Sequence, residues 1–368
     1  MGKIKVLLVV GTMNIGGAER VARDIGVYTD RSQFEIHYLV YEEMIGDYEA
    51  DVVAAGCRVI HMPAPSSGYR QYFQSLTSLI RKEAYDVVHA HTMFSSGWAM
   101  LAARYAGVPV RIVHSHSALD NGKNLKKQLY ETVMRSLILH NATDLIACGD
   151  AAGIRLYGEK AYKAKGIRII NGIDVKSFAF SEDSRNRIRT EQKIERDFVI
   201  GHVGHLAKVK NQAFLIRLLP RILEKKQNAK LLLLGDGNDR EMLERLIRES
   251  GLTDRVIMTG NVRNVQDFLS AMDVFAFPSL FEGMPLSVVE VQANGLPCVL
   301  STGVPKDVFL TDLLEPIPLT EVDQWVDAVC SAERSRPERY ASELKRLGLD
   351  TGDVMLKYAE LYERAERN

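Results

Sequence analysis

Cysteine is scarce: Cys57, Cys148, Cys298 and Cys330 are the only four in 368 residues, far apart and never in a Cys-X-X-Cys pair. That excludes a disulfide framework and a zinc knuckle, and is the pattern of reduced thiols in a cytoplasm. Charge of one sign is not in excess. Lys and Arg number 47 against 47 Asp and Glu, whereas a dedicated nucleic-acid binder carries a basic surplus. Long apolar runs are missing as well: residues 6–10 and 231–234 are among the longest, far short of the ~18 residues of a membrane span. Lys3 and Lys5 precede an apolar run too short for a secretory leader, which ends at Gly11-Thr12. There is no low-complexity segment and no short repeat. What remains is an ordinary globular composition, 46% hydrophobic and 26% charged. At roughly 150 residues per domain this length predicts two domains of a cytoplasmic protein.

Short β-rich runs alternate with longer segments of helical period. Residues 5–10, 34–40, 58–62, 86–90, 110–114, 145–147 and 168–170 read as strands, and 18–28, 70–82, 94–105 and 125–139 as helices. Such alternation predicts an α/β fold with a parallel sheet covered on both faces. Residues 177–196 are polar and densely charged, and read as a linker. The alternation then restarts, with strands at 198–203, 230–234, 255–258, 274–277 and 298–300. Helices follow at 212–224, 240–249, 265–271 and 286–293. Residues 353–365 form a final amphipathic helix. The expected organisation is an N-terminal Rossmann-like domain (1–176), a linker (177–196), a C-terminal Rossmann-like domain (197–350) and a terminal helix (351–368). Ligands of open parallel sheets sit beyond the strands' carboxyl ends. Two such domains are therefore expected to face one another across a ligand cleft.

Four constellations carry chemistry. The first, Gly11-Thr12-Met13-Asn14-Ile15-Gly16-Gly17-Ala18-Glu19, joins the first strand to the first helix. Paired glycines admit a close ligand and helix-terminal amides attract phosphate. It is neither Gly-X-Gly-X-X-Gly nor a Walker loop. The second is histidine density: His89-Ala-His91, His114-Ser-His116 and His202-Val-Gly-His205. Residues i and i+2 of a strand share a face, an arrangement able to chelate a metal. Clustered carboxylates are absent nearby, so these are read as half-buried hydrogen-bonding residues and no metal site is expected. His116 is the one best placed to face the cleft.

The third is Gly204-His205-Leu206-Ala207-Lys208-Val209-Lys210-Asn211, where a lysine before a helix can aim an ammonium at phosphate. The fourth is Phe281-Glu282-Gly283-Met284-Pro285-Leu286-Ser287-Val288-Val289-Glu290. Pro285 suits a first helical turn. That places Glu282 in the loop before the helix and Glu290 on it, with the main-chain N–H groups of Gly283, Met284 and Leu286 forming an anion site between them.

In order along residues 4–365, the chain also carries Asn171-Gly172-Ile173-Asp174, Leu234-Gly235-Asp236-Gly237 and Gly295-Leu296-Pro297. With the four constellations, these make it resemble the retaining glycosyltransferases of family 4, of GT-B architecture. It is most similar to bacterial enzymes of exopolysaccharide, capsule or O-antigen assembly. The resemblance implies that Glu282 binds donor-sugar hydroxyls, Glu290 holds the nucleotide ribose and Lys210 neutralises the diphosphate. Gly283, Met284 and Leu286 contact phosphate and sugar, Gly16 and Gly17 close over the diphosphate, His116 lies near the anomeric carbon and the Arg263 backbone reads the base, commonly uracil. It further implies that the terminal helix returns to the N-terminal domain. The donor is then a nucleotide sugar, expected to be UDP-linked and to carry a hexose or N-acetylhexosamine. The acceptor is a saccharide, free or linked to undecaprenyl diphosphate.

No Asp-X-Asp triplet is present, and neither a metal nor a cofactor is expected. Two positions depart from the family pattern: His205 stands where Arg is common, and Thr302–Asp307 replaces a Gly-Gly-X-Pro-Glu loop. A basic stretch with Lys123, Lys126 and Lys127 is the expected docking patch for acceptor or for the inner membrane face. The competing readings are a nucleotide-sugar 2-epimerase and a catalytically weak partner subunit. A nucleic-acid partner is not expected.

Overall fold

The computed structural model describes residues 2–41, 44–117, 124–333 and 338–367. The chain divides into two units, Met1–Gly172 with Thr351–Asn368, and Ile173–Asp350.

The first unit holds β1 (Ile4–Val9), β2 (Phe34–Val40), β3 (Arg58–His61), β4 (Val87–Ala90), β5 (Val110–Ser115), β6 (Asp144–Ala147) and β7 (Gly166–Arg168). Their order is β3-β2-β1-β4-β5-β6-β7, and every pair is parallel. The central strands are apolar on both faces; Leu7, Leu8, Val9, Val87 and Val88 have no exposed surface. That is the signature of a parallel sheet under two helix layers. The helix Thr351–Tyr362 belongs to this unit, as expected. The Tyr362 ring meets that of Phe34 edge-on with centroids 5.8 Å apart, and just beyond the helix Arg364 pairs with Asp144 at 2.6 Å.

The second unit holds β8 (Phe198–Val203), β9 (Ala229–Leu234), β10 (Val256–Gly260), β11 (Val274–Phe277), β12 (Cys298–Ser301) and β13 (Leu314–Ile317). The order is β10-β9-β8-β11-β12-β13, again all parallel. In both sheets the first and fourth strands lie side by side, so successive connections run in opposite directions from that pair. This is the switch point at which doubly wound sheets bind ligands.

Two expectations are corrected. Residues 177–196, read as a linker, lie within the second unit and contain a helix. Ser181 caps a helix, Glu182–Gln192, by accepting from the Ser184 amide at 3.2 Å. Arg185 and Arg189 of that helix are buried on Asp273, at 2.7 and 2.5 Å. Part of the charge that suggests a linker is consumed by a carboxylate distant in sequence and by main-chain carbonyls such as that of Ala271. The strand β13 was not anticipated. It contains Pro316, which a parallel sheet tolerates at an edge, and β13 is the edge strand. Among the described residues, no helix is long and apolar enough to cross a membrane.

Candidate functional site

The rim at the carboxyl ends of β8–β11 is built by loops tied to one another. After β8 the chain turns through Gly204 and His205 into a short 3₁₀ turn, Lys208–Lys210. Asn211 follows in the left-handed region (φ 55°), before the helix Gln212–Lys225. Asn is among the few side chains that accept this conformation. Its amide Nδ2 donates to the Pro278 carbonyl at 3.2 Å, and the Leu280 amide donates to the Val209 carbonyl at 2.8 Å. The β8 and β11 loops are thereby held together. Lys210 Nζ lies 2.7 Å from Glu282 Oε1, with side chains 19% and 11% exposed. The same ammonium sits 5.0 Å from the centroid of the Phe277 ring.

The β9 and β10 loops join this rim. Leu206 donates to the Asp236 carbonyl at 3.0 Å, and Gly235 to that of Gly260 at 2.9 Å. Gly235 has φ +127°, and a Cβ there would meet the Gly204 carbonyl oxygen at 2.2 Å. A Cβ on Gly237 would lie 2.4 Å from the Leu206 oxygen. Glycine is what allows the two loops to pass so closely.

Pro285 is the N-cap of the helix Leu286–Ala293, one residue before the first turn in which the sequence places it. Glu282 lies in the preceding loop, and Glu290 is 5% exposed, just over one turn into the helix. Met284 is buried, while Gly283 and Leu286 are partly exposed. The helix N-terminus and the two carboxylates therefore share one short segment at the switch point. Arg263 is exposed in the loop after β10, the edge strand, two strands from β8.

His202 and His205 do not converge. His205 is exposed, whereas His202 is fully buried. His202 Nδ1 lies 3.0 Å from the Ala276 carbonyl oxygen, and its Nε2 lies 3.2 Å from Gln212 Nε2. The ring stacks with those of Phe275 and Phe277, and burial pushes its pKa down to about 4. It is a neutral core residue. Gln212 Nε2 also donates to the His205 carbonyl, at 3.0 Å, and so shapes the loop that carries Lys210. Asn211 closes the third constellation in the sequence without a role of its own, and Gln212 lies outside it, because a loop-organising amide has no local signature.

In the first unit, Gly16 caps the helix Gly17–Tyr28 with extended backbone (φ −165°). The Glu19 carboxylate lies against Gly16, at 2.2 Å from where a Cβ would stand, and Gly17 faces open space. His116 follows β5. Its Nε2 is 2.8 Å from His91 Nδ1, and its own Nδ1 is shielded from solvent although part of the residue is exposed. Burial of the ring nitrogens pushes the His116 pKa down to about 3, so the ring is neutral near pH 7. His89, His91 and His114 are buried completely or nearly so, rather than half-buried as expected.

Of the basic stretch, Lys123 lies outside the described residues. Lys126 is exposed on the helix Leu125–Asn141, and Lys127 pairs with Glu131 at 3.8 Å. Leu125, Leu129 and Val133, at helical spacing, are 81%, 67% and 47% exposed.

Comparison with known proteins places this geometry in context. The family profile described as "Glycosyl transferases group 1" matches residues 184–312, and that described as "Glycosyl transferase 4-like domain" matches 16–170. EpsF of Bacillus subtilis (strain 168), which is named as a glycosyltransferase, is 34% identical over 356 residues, 94% of this chain and 93% of EpsF. The UDP-Gal:alpha-D-GlcNAc-diphosphoundecaprenol alpha-1,3-galactosyltransferase of Escherichia coli is 28% identical over 352 residues, 89% of this chain and 87% of that protein. The crystal structure of Anabaena HepE in complex with UDP-glucose has a TM-score of 0.78 at 21% identity, covering 97% of this chain and 98% of HepE. At that identity the likeness is one of fold, the GT-B architecture.

Proposed function

The chain belongs to the group 1 glycosyltransferases, with a glycosyltransferase 4-like N-terminal part, and from that premise we propose a specific reaction. A hexose or N-acetylhexosamine passes from a UDP-sugar to a lipid-linked saccharide, with retention at the anomeric carbon and no metal at the diphosphate, in the synthesis of a bacterial surface polysaccharide.

The observation that carries this reading is the Lys210–Glu282 contact at the switch point of the second unit. In a nucleotide sugar the distal phosphate and the sugar share one bridging oxygen, so their ligands must be neighbours. An ammonium for the phosphate and a carboxylate for sugar hydroxyls, 2.7 Å apart, fit that demand. Rupture of the sugar–phosphate bond puts negative charge on the departing diphosphate. Lys210 and the amides at the start of the helix Leu286–Ala293 are fixed donors for that charge, already oriented before it develops. Glu290, one turn along, is at hand for the ribose hydroxyls. These groups do the work for which other sugar transferases hold a divalent cation. His205, exposed on the same rim at the position where the family pattern commonly has Arg, adds an imidazole in place of a two-pronged guanidinium.

Retention by double displacement requires a carboxylate nucleophile beneath the anomeric carbon. Glu282 is committed to Lys210 and Glu290 to the ribose, which favours front-face attack with the leaving phosphate taking the acceptor's proton. The exposed Leu125, Leu129 and Val133, with Lys126 beside them, support contact with an anionic bilayer, where a lipid-linked acceptor resides. The Lys127–Glu131 pair leaves that patch with less net charge than its lysines suggest.

Calorimetry with UDP tests the donor assignment. Binding is expected at equal affinity with and without added Mg²⁺ or Mn²⁺, and release of sugar from UDP-sugar is expected to depend on acceptor. A strict need for either cation overturns the metal-independent reading. Acceptor-independent formation of UDP and a 2-epimeric sugar identifies the epimerase instead.

A further inference from the structure

The feature this reading leaves unexplained is in the first unit. β4 and β5 pair in parallel, with His89 opposite Ile112 and Ala90 opposite Val113. Strand alternation then sets His89, His91, His114 and His116 on one face. Ring centroids are 4.3 Å apart for His89 and His91, 5.2 Å for His91 and His114, and 5.6 Å for His89 and His114. One ring nitrogen from each of these three lies within 4.8 Å of the others, and the residues are 0%, 7% and 0% exposed.

The hydrogen bonding of this cluster is lopsided. His89 Nδ1 lies 2.9 Å from the Tyr362 hydroxyl, and His91 Nδ1 lies 2.8 Å from His116 Nε2. Among the described residues, His89 Nε2, His91 Nε2 and both nitrogens of His114 are shielded from solvent and have no hydrogen-bond partner. Buried polar atoms are ordinarily satisfied, and four such atoms on three neighbouring rings call for an explanation.

We propose that His89, His91 and His114 form a binding site for one divalent transition-metal ion of the zinc type, ligated through His89 Nε2, His91 Nε2 and a ring nitrogen of His114. Ligating histidines characteristically donate their other N–H to an acceptor, which fixes tautomer and ring orientation. The two Nδ1 contacts, with Tyr362 and with His116, have that form. An all-imidazole set selects zinc, copper or nickel over magnesium and calcium. With bonds of about 2.1 Å, the ligand atoms of a tetrahedral ion are about 3.4 Å apart against up to 4.8 Å here, so binding draws the nitrogens together and rotates the stacked His89 and His114 rings, now 8° from parallel, until both lone pairs meet the ion. Three protein ligands leave a fourth position for water or hydroxide, and hydroxide offsets part of the buried charge.

The ion ties β4 and β5 to the terminal helix through Tyr362. Through His91 it also fixes the tautomer and orientation of His116, making His91 a positioning residue for that group. The site is built from the first unit's sheet and shares no residue with the Lys210–Glu282 rim. It does not rest on the donor assignment.

The test uses the full chain, purified without a polyhistidine tag, stripped by a chelator and titrated with Zn²⁺ and with Co²⁺. Elemental analysis is expected to find a single zinc ion per chain after gel filtration, with a raised melting temperature. The cobalt form is expected to show the visible absorption of a four-coordinate, nitrogen-ligated ion. X-ray absorption of the zinc-loaded wild type is expected to count three imidazoles and needs no variant. His89→Asn and His114→Asn, checked for folding by near-ultraviolet circular dichroism, are each expected to lose the ion and the cobalt spectrum. A wild-type chain that retains neither metal overturns the proposal and assigns the cluster to buried water. So does retention of the same stoichiometry in a folded His89→Asn/His114→Asn double variant.

Discussion

Replacing Lys210 by Met removes the ammonium and keeps most of the stem that lies over the Phe277 ring. At the observed 2.7 Å, the Coulomb attraction to Glu282 is about 6 kcal/mol at an effective dielectric constant near 20. Most of that is offset by the cost of desolvating both groups, which are largely buried. A charge-assisted hydrogen bond of this kind contributes about 1.5–3 kcal/mol net. Lys210→Met should therefore lower the unfolding free energy of the unliganded protein by that amount. A double-mutant cycle with Glu282→Gln should return a coupling of the same size.

Binding of UDP then adds a second, opposing demand on the same ammonium. If Lys210 carries the diphosphate, its loss weakens UDP by about the same 1.5–3 kcal/mol, or roughly 10- to 150-fold in Kd. Glu282→Gln acts the other way. It releases Lys210 from its carboxylate, so UDP binds as tightly as before or more tightly, while turnover of the UDP-sugar falls because a sugar ligand is gone. Urea unfolding and calorimetry with UDP on the four proteins of the cycle provide every number. A folded Lys210→Met protein that binds UDP like the wild type refutes the diphosphate role. Equal weakening of UDP by both single changes refutes the division between phosphate and sugar.

Other perturbations isolate other parts of the second unit. Glu290→Ala should weaken UDP by about 1.5–3 kcal/mol through the ribose hydroxyls, read by calorimetry, and leave the Lys210–Glu282 coupling in the free protein unchanged, read by urea unfolding of the same cycle. Buried His202 titrates at about 4 in the folded chain against an ordinary 6.5. The unfolded chain takes up that proton first, so the stability tied to a neutral His202 is complete above pH 6.5 and is lost as pH falls toward 4. The full difference is about 3 kcal/mol. His202→Gln should therefore flatten the fall in unfolding free energy between pH 6.5 and 4 relative to wild type; identical slopes would show that His202 is not the group responsible.

The alternation of apolar runs with helical periods determined the class of fold, because period and strand length are local properties. Residues 34–40, 198–203 and 274–277 coincide with β2, β8 and β11 for that reason. The motif positions were legible too: a lysine before a helix, and two carboxylates flanking a Gly-Met-Pro turn, lie at the ends of recognisable strands. That Lys210 and Glu282 touch was not legible, since 72 residues separate them and only the adjacency of β8 and β11 joins their loops. The helix Glu182–Gln192 escaped for a related reason. Its arginines look solvated until Asp273 is brought beneath them. The edge strand β13, with its proline, has no alternation to betray it and exists because β12 offers a free edge. The histidines show the limit most plainly. The i, i+2 spacing set each pair on one face, but burial depends on the helix Thr351–Tyr362, more than 200 residues away, folding over them. Local sequence determines which way a side chain points; only tertiary packing decides whether water can reach it.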